Sequence, residues 1–295
     1  MYLEHFGLRE LPFAITPDTE YAYRAREHQS ALNMLRLALD SGEGFVKVTG
    51  EVGTGKTLLC RTLLASLPAD VVSAYILNPR LSACGLLRAL GDELGLPRRR
   101  GLDEHSLYGV VEAELLRLVA QSKRVLLCVD EAQALSLECL EALRLLTNLE
   151  TGKRKLLQIV LFGQPELDAR LAARPIRSLA SRIGFAARLD GLARDDFERY
   201  LRHRLRVAGW RGPKVFSRTA CWLLWHASRG VPRRANILAH KTLMLAYGEG
   251  RHTVGWRQAW SAIRDEAQHR PTPASMLHRA MSGARLREQL EGARR

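Results

Sequence analysis

The chain has 295 residues, 46% apolar and 26% charged, which suits one large or two modest globular domains with a real core. Lys and Arg number 45 against 31 Asp and Glu, and the resulting net charge of +14 favours an anionic partner: nucleic acid, an anionic lipid surface or an acidic protein. Five scattered cysteines without metal-like spacing, no apolar run of 18 residues and no secretory leader argue against a disulfide scaffold, a zinc cluster and a membrane span, and place the chain in a reducing cytoplasm.

In chain order, residues 1–26 read as irregular, with Pro12 and Pro17 breaking any helix. A helix follows near 27–41, with Leu32, Leu35 and Leu39 on one face and Gly42 past its end. Phe45 to Thr49 reads as a strand, and Leu58 to Leu64 as a helix. Between them stands Gly50-Glu51-Val52-Gly53-Thr54-Gly55-Lys56-Thr57, a G-x-x-x-x-G-K-T loop. Its glycines let successive N–H groups curl around phosphates, and the helix start adds unpaired N–H groups and a positive dipole end. Lys56 is placed to reach the β- and γ-phosphates, Thr57 to offer its hydroxyl to Mg²⁺, and Leu58 to complete the nucleotide contacts.

Val71 to Leu77 reads as a second strand, Leu86 to Leu94 and Tyr108 to Gln121 as helices, and residues 97–101 as a loop. Val125 to Val129 is a continuous apolar run, the pattern of a parallel strand buried on both faces. Asp130 and Glu131 follow it. A carboxylate at the end of a neighbouring strand holds a hydrated Mg²⁺, which assigns Asp130, and the adjacent Glu131 fits a general base for an attacking water. Ser136 caps a helix predicted to run to about Glu150, and Leu156 to Phe162 is a fourth strand. At its end, within Gly163-Gln164-Pro165-Glu166, Gln164 is placed to sense a γ-phosphate; a plain strand-ending turn also explains the Gly and Pro.

Arg170, Arg174, Arg177, Arg182 and Arg188 surround a fifth strand, Ile183 to Leu189. Most read as a solvated basic face. Arg182, with Arg177 second, is the choice for an arginine that reaches a neighbouring subunit's nucleotide. The alternation of strands and helices predicts an α/β domain over 1–190 with a parallel sheet covered on both faces. Residues 191–269 read as a helical domain broken at Gly209, Gly212-Pro213, Gly230 to Pro232 and Gly248 to Gly250, and 270–295 as a basic tail. Pro232 suits a helix start, which lets Arg233 project from it.

These features in this order resemble the AAA+ ATPases: Walker A, Walker B, sensor 1, arginine finger and sensor 2. Tyr2-Leu3-Glu4-His5-Phe6-Gly7-Leu8, Leu11-Pro12-Phe13, Thr16-Pro17-Asp18, Asp130-Glu131-Ala132-Gln133 and Gly163-Gln164-Pro165-Glu166-Leu167 resemble the general secretion pathway protein A (ExeA-type) group. The run from Gly42 to Gly53 is similar to its short members associated with mannose-sensitive haemagglutinin (MSHA) pilus biogenesis. The resemblance implies a P-loop fold with five parallel strands in order 5-1-4-3-2 and a helical lid. It implies ATP and Mg²⁺ as ligands, with hydrolysis carried by Lys56, Thr57, Asp130 and Glu131, Arg182 as the finger and Arg233 as sensor 2. It also implies that the segment before the loop lies against adenine, which makes Phe13 and Tyr21 candidates. A ring or other homo-oligomer follows from the same likeness.

Longer relatives continue into a membrane span and a peptidoglycan-binding domain, so direct peptidoglycan contact is not expected of this chain. Three functions follow. The first is an ATPase that drives assembly of a type IV pilus or secretion machine with inner-membrane proteins, at the cytoplasmic face of the membrane. The second is a DNA-associated ATPase of the transposition (TniB) type, which the charge fits but no helix-turn-helix signal supports. The third is a nucleotide-gated binding module with incidental hydrolysis. A GTPase is disfavoured, since no N-K-x-D guanine motif is present.

Overall fold

The structure is a computed structural model that describes residues 2–16, 20–23, 25–98, 101–151 and 154–268; the expectations for Pro17, Asp18 and the 270–295 tail lie outside those residues. Five strands form the central sheet: β1 (Phe45–Gly50), β2 (Val71–Ile76), β3 (Arg124–Val129), β4 (Gln158–Gly163) and β5 (Ile183–Leu189). All pair in parallel, in the order β2-β3-β4-β1-β5. Read from the other edge this is 5-1-4-3-2, as the resemblance implied.

The apolar runs have this form because both faces of the sheet are covered. Val125, Leu127 and Val129 of β3 face one cluster with α4 (Ala83–Glu93), α5 (Glu104–Ala120) and α6 (Leu137–Leu146). Leu126 and Cys128 face the other, with α2 (Arg26–Asp40) and α3 (Lys56–Ala65). Helix starts follow their caps: Ser82, Asp103 and Ser136 each accept an N–H of the first turn. Asp103 explains why α5 starts at Glu104, ahead of the predicted Tyr108. Helix α6 ends at Leu146 rather than near Glu150, because Glu150–Thr151 pairs with Arg154–Lys155 in a small antiparallel ladder.

After two short helices, α7 (Glu166–Leu171) and α8 (Arg177–Ala180), the lid comprises α9 (Arg194–Val207), α10 (Arg218–Ser228), α11 (Pro232–Gly248) and α12 (Trp256–Gln268). Its core includes Phe197, Leu201, Leu224, Leu238 and Leu243. It also takes in Tyr2, Phe6, Leu8, Phe13 and Tyr21, so the segment before the sheet packs against the lid. Short helix α1 (Tyr2–His5) begins that segment, and the Tyr2 hydroxyl lies 2.9 Å from His240 Nδ1 on α11.

The junction from sheet to lid is tied by hydrogen bonds on both sides of Leu192 and by a close backbone approach at Gly191. The Leu192 N–H donates to Gly230 O at 2.8 Å, and Trp225 Nε1 donates to Leu192 O at 2.9 Å. A Cβ on Gly191 would collide with the Arg229 carbonyl, so glycine alone allows this approach. The tight junction fixes the start of α11, and with it Arg233, over the sheet's C-terminal edge.

Candidate nucleotide site

Parallel register brings the chemistry to one edge. Thr49 of β1 pairs with Gly163 of β4, and Val129 of β3 pairs with Leu161. The residues just beyond those strands therefore sit side by side: the loop after β1, Asp130 and Glu131, and Gln164. The loop, Glu131 and the lid line a cavity of about 510 Å³, within the usual range for a small-molecule site, while Asp130 and Gln164 stand behind that lining, bonded to Thr57 and Glu131.

The loop holds the left-handed turns that the glycines were expected to supply, with φ of 83° at Gly53 and 100° at Gly55. Gly55 is the N-cap of α3. Lys56 is buried, and its Nζ donates to Gly50 O at 2.7 Å and Glu51 O at 2.9 Å. Burial pulls its pKa down, while the charges of Glu131 and Asp130 oppose that. Thr54 is buried and donates to Glu51 O at 2.9 Å. His28 of α2 supports the loop from outside: its Nε2 donates to Thr54 O at 2.7 Å, since a carbonyl only accepts. Burial lowers the His28 pKa and favours the neutral ring.

Asp130 is fully buried, and its carboxylate accepts from three donors. Thr57 Oγ1 donates to Oδ2 at 2.6 Å, the Tyr75 hydroxyl reaches the same oxygen at 3.4 Å, and the Glu131 N–H donates to Oδ1 at 2.9 Å. Burial and the Asp130 charge raise the Tyr75 pKa, which keeps its phenol a donor. The adjacent Thr57 hydroxyl and Asp130 carboxylate are hard oxygen donors. Magnesium takes few protein ligands and completes its shell with water and phosphate, so this pair fits the ion.

Glu131 stands in a left-handed conformation, φ 51° and ψ 36°, uncommon for a residue with a Cβ. Its Oε2 accepts from Gln133 Nε2 at 2.5 Å and from Gln164 Nε2 at 3.1 Å. Gln133 Oε1 accepts the Gln164 backbone N–H at 2.9 Å. The carboxylate expected to act as base is thus held by two amides.

Arg233 sits at the start of α11, where its N–H donates to Gly53 O at 3.3 Å. It lines the cavity with Val52, Leu58, Tyr21 and Asn236. Phe13 is a correction. It packs edge-to-face on Phe216 in the lid core, rings 5.9 Å apart, and is not among the cavity's lining residues. Burial of an aromatic ring against Phe216 takes precedence there, and Ala14, Ile15 and Thr16 line the cavity instead. Arg182 is exposed at the N-terminal end of β5, where its charge is felt by Glu150, and it lines no part of its own cavity. Arg177 opens the short helix α8 (Arg177–Ala180); its side chain lies outside the described set.

Five residues at or around the site were not singled out in the sequence: His28, Tyr75, Gln133, Arg204 and Asn236. Only Gln133 carried a signal, as the fourth residue of the acidic run after β3. The others looked like ordinary residues of a strand or helix.

A family model described as an AAA domain matches residues 39–171. General secretion pathway protein A of Aeromonas hydrophila is 44% identical over 292 residues, 97% of this chain and 52% of that protein. The chain carries an AAA domain and is similar along nearly its whole length to general secretion pathway protein A. It spans about half the length of that curated relative. Among solved structures, Cdc6p of Pyrobaculum aerophilum superposes with a TM-score of 0.64 at 20% identity, over 82% of this chain and 67% of that one. The ADP form of Aeropyrum pernix ORC2 gives 0.62 at 19% identity, over 86% and 71%. At these identities the likeness is one of fold, and it extends to the five-stranded AAA+ core. Among the described residues, no helix is long and apolar enough to cross a membrane.

Proposed function

We propose that this chain binds ATP with Mg²⁺ and hydrolyses it to drive assembly of a type IV pilus or related secretion machine. The observation that carries the reading is the single cavity where the P-loop, Glu131 and the lid's Arg233 meet. Loop N–H groups and Lys56 hold the β- and γ-phosphates, and Thr57 and Asp130 hold the metal. When bound, Mg²⁺ neutralises charge on the phosphate oxygens. Glu131 takes the proton of the attacking water, and Gln164 positions the γ-phosphoryl oxygens. Arg233 reports the nucleotide state to the lid through α11. Arg182 serves the cavity of a neighbouring copy, so the working form is a homo-oligomer.

The secretion role is supported by the identity with general secretion pathway protein A, and the pilus role by the Gly42 to Gly53 run. Partners are then inner-membrane pilus or secretion proteins, met from the cytoplasmic side. The net charge of +14 supports a second reading, a DNA-associated ATPase.

The test is capture from detergent-solubilised inner membranes by the full chain, in ATP and in ADP, beside a duplex-DNA titration across salt. The pilus reading predicts ATP-dependent capture of a pilus or secretion protein, and DNA binding that vanishes near physiological salt. DNA binding that persists there, with no membrane protein captured, would overturn it in favour of the second reading.

A further inference from the structure

The Gln133 side chain makes two hydrogen bonds of opposite sense. Its Nε2 donates to Glu131 Oε2 at 2.5 Å, and its Oε1 accepts the Gln164 N–H at 2.9 Å. The polarity of this bridge is fixed. Turning the amide over would set oxygen against a carboxylate and NH₂ against an N–H. Only glutamine has the length and the two-sided chemistry for this position. Glutamate would place a second carboxylate against Glu131, and asparagine is one methylene short.

The bridge joins two ends of the sheet. Gln133 lies in the 3₁₀ turn Ala132–Ala134, directly after the left-handed Glu131. Gln164 is the first residue past β4. Gln164 Nε2 closes the loop by donating to the same Glu131 oxygen at 3.1 Å. Its backbone is tied to Gln133 and its side chain to Glu131.

We propose that Gln133 is a positioning residue that couples Gln164 to Glu131, so that phosphate sensing and base placement are one event. This rests on the reading of Glu131 as base and Gln164 as sensor. The Gln164 amide serves either Glu131 Oε2 or a γ-phosphoryl oxygen. When it turns to phosphate, one of the two donors leaves the Glu131 carboxylate. Gln133 then becomes the donor that keeps Glu131 on its left-handed turn, aimed at the water. Without Gln133, the Gln164 amide and Glu131 meet phosphate and water independently of one another.

The test uses the full chain with Gln133→Ala, Gln133→Met, Gln164→Ala and the double variant Gln133→Ala/Gln164→Ala. Met keeps the volume and removes both hydrogen bonds. Melting curves establish that each variant folds, and fluorescent ATP measures binding. Gln133→Ala and Gln133→Met are both expected to lower kcat by roughly tenfold or more, with KM and ATP affinity within about threefold. The double variant is expected to fall no further than about twofold below the weaker single, because both substitutions break one coupled unit.

Full activity in Gln133→Met would reduce the role of Gln133 to packing and overturn the proposal. So would a rise in KM with unchanged kcat, or losses that multiply in the double variant. Glu131→Gln is run alongside: normal turnover there contradicts the base assignment itself, while lost turnover there with an active Gln133→Met refutes the coupling alone.

Discussion

At Gly53 two requirements meet at one Cα. Its φ of 83° suits glycine, and a Cβ there would collide with the Arg233 side chain at the start of α11. Gly53→Ala is therefore expected to weaken ATP binding at least tenfold, by straining the loop and displacing Arg233 together, and to cost about 1–2 kcal/mol of stability. Gly44→Ala is the control. Nothing stands nearer a Cβ there than 3.9 Å, from the flexible Lys155 side chain, so both quantities should stay near wild type, stability within about 0.5 kcal/mol. Isothermal titration and denaturant melts of the two variants check this. The loop residues, Asp130 and Glu131 were legible in the sequence, because phosphate chemistry restricts both residue type and spacing. Tyr75 was not: its partner Asp130 lies past a neighbouring strand, and a Tyr in a strand has many ordinary uses. Gln133 was legible only as part of a family-like run, since its bridge to Gln164 depends on the strand pairing.

Among the elements, α9 and α11 do more than cover the site. Arg204 of α9 is buried; its Nε donates to Pro12 O at 2.5 Å and its Nη2 to Ala14 O at 3.2 Å, and its guanidinium lies 4.5 Å from the centre of the Tyr21 ring. Asn236 of α11 donates to the same Ala14 oxygen at 3.2 Å and accepts from the Tyr200 hydroxyl at 2.6 Å. The lid thus holds the segment that walls one side of the cavity. Truncating this buried, multiply bonded guanidinium removes the donor to Pro12 O and leaves Ala14 O with Asn236 alone, so Arg204→Ala is expected to cost about 2–4 kcal/mol in chemical denaturation and to weaken ATP binding. Unchanged stability would show that the lid does not anchor the segment. The strands were legible because a sheet buried on both faces demands unbroken apolar runs. The attachment of residues 2–16 to the lid was not, because Tyr2, Phe6 and Phe13 follow no helical or strand period and their partners lie about 200 residues away in the chain.

For the whole molecule, the exposed Arg182 lies outside its own cavity, so its proposed role requires a second copy. Arg182→Ala and Glu131→Gln should each be nearly inactive alone. Mixed in equal amounts they should regain about a quarter of wild-type turnover, the random share of head-to-tail interfaces with both groups intact. No recovery in a mixture that demonstrably co-assembles would contradict action in trans. The strand order and the oligomer came only with the family resemblance. The structure carries the strand order, and the mixing experiment decides the oligomer.

The claim beneath all of these is that the cavity binds ATP through the loop and breaks it through Glu131. Paired measurement of ATP affinity and single-turnover hydrolysis in Glu131→Gln tests it most directly. The account predicts affinity within about threefold of wild type and turnover reduced by roughly a hundredfold or more. Turnover near wild type would contradict it.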